Sequence, residues 1–217
     1  MPYKAVIFDM DGVIVDSMPY HVRAWQKALK PFGVRLSDYE VYKREGENWK
    51  KSTRDFLTMT NSKPTPALIE KVFKKRTEIF KDIFRPRLFP YSKSILNKLN
   101  KKKLKIALVT ATPRSDVNRM LPADVRKLFT AFVCGNDTRR GKPHPDPYLK
   151  ALQKLKLTKK EVMVVENAPY GVASAKAAGL YCVALETSLP KRFLKQADIV
   201  LPSIKDLIKY LHCMLKL

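Results

Sequence analysis

Two aspartates, Asp9 and Asp11, stand with only Met10 between them at the end of an apolar run, in the stretch AVIFDMDGVIVDS. A second apolar run, Val13 to Val15, comes directly after Gly12. Two β-like runs joined by Asp-Gly are a strong hairpin signal, so a solvated turn is one reading of the pair. The other is that the carboxylates do chemistry, and that reading needs company. Thr110 ends the run IALVT, Lys142 lies in GKPHPDPY, and Glu166-Asn167 closes the run VMVVE. Carboxylates, a hydroxyl and a lysine brought together can neutralise an anionic group and move protons beside it.

The elements around these residues decide between the readings. From Lys105 onward, short apolar runs alternate with helical patterns. IALVT, AFVCG, VMVVE, YCVAL and DIVL read as strands. PRSDVNRML, PDPYLKALQKLKL, YGVASAKAAGL and residues 204–215 read as helices. Such alternation predicts an α/β fold, a Rossmann-like doubly wound parallel sheet with helices on both faces. VMVVE is apolar almost throughout, as a strand buried on both faces should be. AVIFD must then be the first strand. In open sheets of this kind the ligand site lies at the carboxyl ends of the strands near a switch in strand order, where all the residues named above would meet.

Residues 17–86 break the alternation. They carry four helical patterns, MPYHVRAWQKALKPFG, DYEVYKREG, WKKSTRDFLTM and PALIEKVFKKRTEIFKDIF. A stretch of that length is not a structureless loop. It predicts an inserted all-helical domain, with the core formed by residues 1–16 plus 87–217 and RPRLFP as the hinge. The chain after DMDG therefore leads into helices and not into a paired strand, which weakens the hairpin reading.

DMDGVIVDS, the Thr110 strand end, GKPHPDPY and VVENAPYGVASAKAAG resemble, in order and spacing, the four motifs of the haloacid dehalogenase superfamily, and the helical insertion resembles the cap of its phosphatase and β-phosphoglucomutase-like branch. The resemblance spans essentially the whole chain. It implies that Asp9 is the nucleophile of an aspartyl-phosphate mechanism and that Asp11 is first general acid, then general base. Thr110 and nearby backbone N–H groups would hold the phosphoryl oxygens, with Lys142 neutralising nucleophile and phosphate. Gly12, Ala111 and Thr112 would line the substrate. Mg²⁺ is the implied cofactor, held by Asp9, the carbonyl of Asp11 and the fourth motif. That motif commonly carries an acidic pair where this chain has Glu166-Asn167. Either the Asn167 carbonyl oxygen serves, or Glu166 takes the direct role. In the cap, the resemblance places His21 towards the site and Trp25 in the cap's own core. It makes YKREGENWKK the substrate-selecting loop, with Arg44, Glu45 and Lys50 as candidates. Arg114 is positioned to meet a second anionic group of the substrate. His144 and Cys182 read as structural.

The expected activity is a Mg²⁺-dependent phosphohydrolase acting on a small phosphorylated metabolite of the sugar phosphate or phosphoglycolate type. A β-phosphoglucomutase-like phosphotransferase is the alternative. The 217 residues carry 43 Lys+Arg against 20 Asp+Glu, a net charge of +23, which attracts polyanions and anionic metabolites alike. A nucleic-acid-binding protein on a phosphatase fold is therefore a third reading. The lysines are scattered and no nucleic-acid motif is evident, so nucleic acid is not the expected partner. No run approaches the length needed to span a bilayer. Three widely spaced cysteines and an N-terminus without signal-peptide features predict a cytoplasmic protein, taken as a monomer or weak dimer.

Overall fold

The computed structural model describes residues 3–60 and 63–215. Strand β1 (Ala5–Phe8) leads through the Asp9–Gly12 segment to four helices, α1 (Met18–Leu29), α2 (Asp38–Tyr42), α3 (Trp49–Leu57) and α4 (Pro66–Ile83). The chain continues as α5 (Ser92–Lys101), β2 (Lys105–Val109), α6 (Arg114–Met120), α7 (Ala123–Arg126), β3 (Ala131–Val133) and α8 (Asp146–Leu155). It ends with β4 (Val162–Glu166), α9 (Pro169–Ala177), β5 (Tyr181–Leu185), β6 (Ile199–Leu201) and α10 (Ile204–Leu215).

The six strands pair in parallel in the order β3-β2-β1-β4-β5-β6. This is the doubly wound arrangement, and it sets β2 and β4 on either side of β1. Alternate residues of each strand feed two cores. Val6, Phe8, Leu108 and Val165 meet Leu96 and Leu99 of α5, Val117 of α6 and Leu207 and Leu211 of α10. Ile7, Val109 and Val164 meet Tyr148, Ala151 and Leu155 of α8 and Val172 and Ala175 of α9. With helices on both faces, β1 and β4 are buried along their whole length, which is why they read as unbroken apolar runs.

Helices α1 to α4 gather around a third cluster that includes Trp25, Leu29, Phe56, Leu57 and Val72. Local chemistry sets their boundaries. Ser37 and Glu40 form a reciprocal capping box on α2, Asn48 accepts from two backbone N–H groups of α3, and Thr65 caps α4 ahead of Pro66. Ala24 and Phe80 also join the main core, so this helical group lies directly on the sheet domain. The chain crosses between the two through neighbouring segments. Val15 bridges Leu88 antiparallel, the Asp16 N–H donates to the Arg87 carbonyl, and the Phe89 N–H donates to Ile14. Among the described residues no helix is long and apolar enough to cross a membrane.

Candidate active site

Three adjacent strands deliver the site. Asp9 and Asp11 come after β1, Thr110 comes after β2, and Glu166 ends β4 with Asn167 next in the chain. Lys142 arrives in the loop ahead of α8. The helical pattern PDPYLKALQKLKL becomes α8 from Asp146, so this lysine precedes the helix by a few residues. Its ammonium lies 2.6 Å from Asp9 Oδ1 and 2.6 Å from Glu166 Oε1, with all three groups almost entirely buried. Burial opposes the lysine's charge, yet the two carboxylates hold its pKa above the ordinary value. Asp9 is pushed well up by burial and then by Glu166 and Asp11, with Lys142 opposing.

Asp11 is treated differently. Ser17 Oγ donates to its Oδ1 at 2.6 Å, and His21 Nε2 lies 3.3 Å from the same oxygen. Thr112 and Thr110 donate to Oδ2 at 3.0 and 3.4 Å. Burial alone would raise this carboxyl, but His21 and the hydroxyls outweigh it and bring it below its usual value. Two carboxyls two residues apart are thus driven in opposite directions, the pattern by which sites divide acid–base labour.

Glu166 is fully committed. Oε1 accepts from Lys142 and from Tyr148 Oη at 2.7 Å, while Oε2 accepts from the backbone N–H groups of Asn167 and Ala168. Gly171 makes this possible, because a Cβ there would sit 1.8 Å from Glu166 Oε1. A Gly171→Ala protein tests the point. Alanine in a helix interior ordinarily gains about 1 kcal/mol over glycine. Here overpacking of about 1–3 kcal/mol should dominate, giving a lower urea midpoint and weaker activity as Glu166 leaves Lys142.

The Asn167 side chain is buried. Its Nδ2 donates to Ser188 Oγ at 3.1 Å, while its Oδ1 is buried with no hydrogen-bond partner among the described residues. Gly12, at φ +81°, is the residue that leaves room for it: a Cβ there would lie 2.0 Å from Nδ2. Among the described residues no three His, Cys, Asp or Glu side chains gather as a metal centre. A hard cation also accepts amide and backbone carbonyl oxygens, and Mg²⁺ needs only one or two carboxylates beside water and substrate oxygens. The orphaned Oδ1, next to Asp9 and Asp11 with a single lysine for three buried carboxylates, fits such an ion. Glu166, with both oxygens engaged, does not present itself for the direct role that the sequence left open.

The substrate residues divide as well. His21 lies against Asp11, stacks on Phe80 at 4.3 Å, and meets Arg76 at its Nδ1. Thr112 bonds Asp11, and Ala111 lies against Gly135, whose Cβ would sit 1.9 Å from its carbonyl oxygen. Three further candidates stand apart from the acidic cluster. Arg44 is held by Glu47 and Asp55 at 2.6 and 2.8 Å over the Phe56 ring. Lys50 is exposed near Glu70, 3.7 Å away. Arg114 lies over Phe132 beside Asp137 and does not join the cluster. Residues that sequence reading passed over include Ser17, Tyr148 and Arg76. His144 is exposed, with its carbonyl accepting from Ser174, while Cys182 is buried.

Glu47 ties the helical group to the core. It accepts from Arg44, Lys51, Ser52 and, across the crevice, from Tyr170 Oη at 2.6 Å. Burial raises its carboxyl, but these donors lower it from 4.5 to about 2. The unfolded chain therefore takes up this proton at higher pH than the folded chain does. The stabilisation is complete above pH 4.5 and is lost as pH falls towards 2. Urea midpoints measured from pH 6 to pH 3 should fall less steeply for Glu47→Gln than for the parent. Equal slopes would show that Glu47 contributes nothing to acid sensitivity.

Comparison with known proteins agrees with this geometry. Residues 6–185 match the haloacid dehalogenase-like hydrolase family. A phosphorylated carbohydrates phosphatase of Thermotoga maritima is 27% identical, over 96% of this chain and 98% of that protein. Hexitol phosphatase A of Escherichia coli K12 is 30% identical, over 95% and 94%. A structure described as "Putative beta-phosphoglucomutase from Bacteroides vulgatus" superposes with a TM-score of 0.87 at 32% identity, covering 99% of this chain and 89% of that one. With the strand order, the acidic pair after β1 and the lysine that joins it to β4 all in place, the chain belongs to the haloacid dehalogenase-like hydrolases.

Proposed function

We propose that the protein is a Mg²⁺-dependent phosphohydrolase that acts on a small phosphorylated metabolite through an aspartyl-phosphate. The observation that carries this reading is the geometry of the acidic pair: Asp9 lies 2.6 Å from the buried Lys142 ammonium, and Asp11, two residues on, is held by Ser17, Thr112 and His21. Asp9 attacks phosphorus as the bond to the leaving oxygen breaks, and Asp11 protonates that oxygen. Asp11 then takes a proton from water, whose oxygen attacks the phosphorus and releases inorganic phosphate and the Asp9 carboxylate. The donors on Asp11 favour its ionised form and so suit the second, basic step. The first step needs Asp11 protonated, which requires those donors to loosen or turn to the substrate. Lys142 offsets charge on Asp9 and on the phosphoryl oxygens, and Thr110 donates to one of them.

Asp9, the Asp11 carbonyl and Asn167 Oδ1 would hold Mg²⁺, whose contribution when bound is to offset phosphate charge. The helical group acts as a cap over residues 17–86 that excludes water during transfer and opens for release. The reading is tested by measuring phosphate release from a panel of sugar, polyol and carboxylic acid phosphates, with and without Mg²⁺. Metal-dependent release is the expected result. A second reading, a phosphoglucomutase, is supported by the likeness to the Bacteroides vulgatus structure. It predicts instead that β-glucose 1-phosphate becomes glucose 6-phosphate with little free phosphate.

A further inference from the structure

Of the two side chains proposed to hold Mg²⁺, Asp9 and Asn167, the second is an amide, and an amide has two unlike ends. Its Oδ1 can face a cation, but its Nδ2 carries two protons and cannot. A carboxylate in the same place could turn either oxygen to the ion, whereas an amide must be held one way round. Because Oδ1 and Nδ2 lie on opposite branches of one planar group, a bond that fixes Nδ2 also fixes Oδ1. Here that bond runs from Nδ2 to Ser188 Oγ at 3.1 Å. It leaves Oδ1 buried with no hydrogen-bond partner among the described residues, in a side chain fully shielded from solvent.

The sheet brings Ser188 to this position. Strand β5 pairs with β4 so that Ala184 lies opposite Glu166, and the loop after β5 therefore runs beside the residues after β4. That loop is anchored along its length. The Glu186 N–H donates to the Leu201 carbonyl at 3.0 Å, Thr187 Oγ1 donates to the Gly12 carbonyl at 2.6 Å, and Leu189 is buried. A Cβ on Gly12 would lie 2.0 Å from Asn167 Nδ2 and 3.1 Å from Ser188 Oγ, so these three residues close on one another. The charge of the neighbourhood gives the amide a reason. Asp9, Asp11 and Glu166 are already three buried carboxylates beside one buried lysine, and an aspartate at 167 would make a fourth. An amide supplies the oxygen without the charge, but it needs a partner that orients it.

We propose that Ser188 is a positioning residue for the metal: its Oγ accepts from Asn167 Nδ2 and so keeps Oδ1 turned to the ion, a requirement that the amide itself creates. The inference rests on the ligand set given under the phosphohydrolase reading. Metal binding to the substrate-free protein tests it, with Mn²⁺ as the probe, read from the paramagnetic resonance of the free ion, and Mg²⁺ as competitor. Ser188→Ala should weaken both ions about tenfold, the scale on which loss of a group that orients a ligand is felt. Ser188→Thr, which keeps the acceptor, should bind like the parent. Asn167→Asp should bind more tightly than the parent through its added charge. Adding Ser188→Ala to Asn167→Asp should then change the affinity less than about threefold, because either carboxylate oxygen serves. An equal loss in both backgrounds would make Ser188 a packing residue, and no loss in the Asn167 background would show that the amide needs no such partner; either overturns the proposal. A parent that binds neither ion overturns the proposal together with its ligand set. Metal binding as expected, with no phosphate released from any ester of the panel, overturns the phosphohydrolase reading and leaves the role of Ser188 standing.

Discussion

An Asp9→Asn protein is expected to fold like the parent and to release phosphate at least ~10⁴-fold more slowly, the scale on which loss of an acting nucleophile is felt. The two halves of the expectation come from one place. Asp9 shares the Lys142 ammonium with Glu166, so two carboxylates depend on one buried cation. An amide in place of Asp9 removes charge that burial already disfavours, and Lys142 keeps Glu166 at 2.6 Å. Stability should therefore hold or rise while catalysis is lost. Single-turnover phosphate release and a urea midpoint measured on the same preparation check both halves. Activity above about one per cent of the parent, with metal present, would exclude Asp9 as nucleophile.

Lys142→Met should show the reverse balance, with stability falling by about 3–5 kcal/mol as well as activity, because one partner of a buried ionic group is removed. The two carboxylates do not suffer equally. Glu166 retains Tyr148 Oη at 2.7 Å and two backbone N–H groups at 2.9 and 3.3 Å. Asp9 keeps no comparable side-chain donor among the described residues, since its bond in the cluster is to Lys142. Adding Asp9→Asn to Lys142→Met should thus recover most of the lost stability, and adding Glu166→Gln should recover less. Equal recovery from the two double variants would show that the strain is spread over the cluster and not concentrated at Asp9.

Whether a feature is legible in the sequence depends on the range of the interactions that create it. The strands are legible because burial on both faces makes their periodicity plain, the acidic pair, Thr110 and Glu166-Asn167 because they sit at strand ends in order, and Lys142 because GKPHPDPY leads into a helical pattern. Helix α5 is not. The residue that leads into it, Tyr91, has φ 70° and makes no side-chain cap, and the helix ends in a lysine run that resembles a solvated loop. The contacts of Arg44, Lys50 and Arg114 are not legible for another reason. A cation's partner is chosen in three dimensions, and Asp55, Glu70 and Asp137 lie 11, 20 and 23 residues away in sequence. The same limit hides Arg76. Within KKRTEIF nothing separates it from its lysine neighbours until α1 and α4 pack and Trp25 and Phe80 receive its guanidinium.

The neighbouring chain crossings at Val15 and Leu88 bear on how such a molecule can change over generations. Because the outgoing and returning segments are hydrogen-bonded to each other, the sheet domain meets the insertion as it would meet a tight turn. The closure entropy of a loop grows only slowly with its length, so helices between those crossings can be lengthened, shortened or exchanged at small cost to the fold that carries Asp9 and Asp11. Under the proposed function, reaction chemistry and choice of substrate would therefore be separately heritable in this architecture. New phosphate esters would then be explored in residues 17–86 while Asp9 and Asp11 stay where they are.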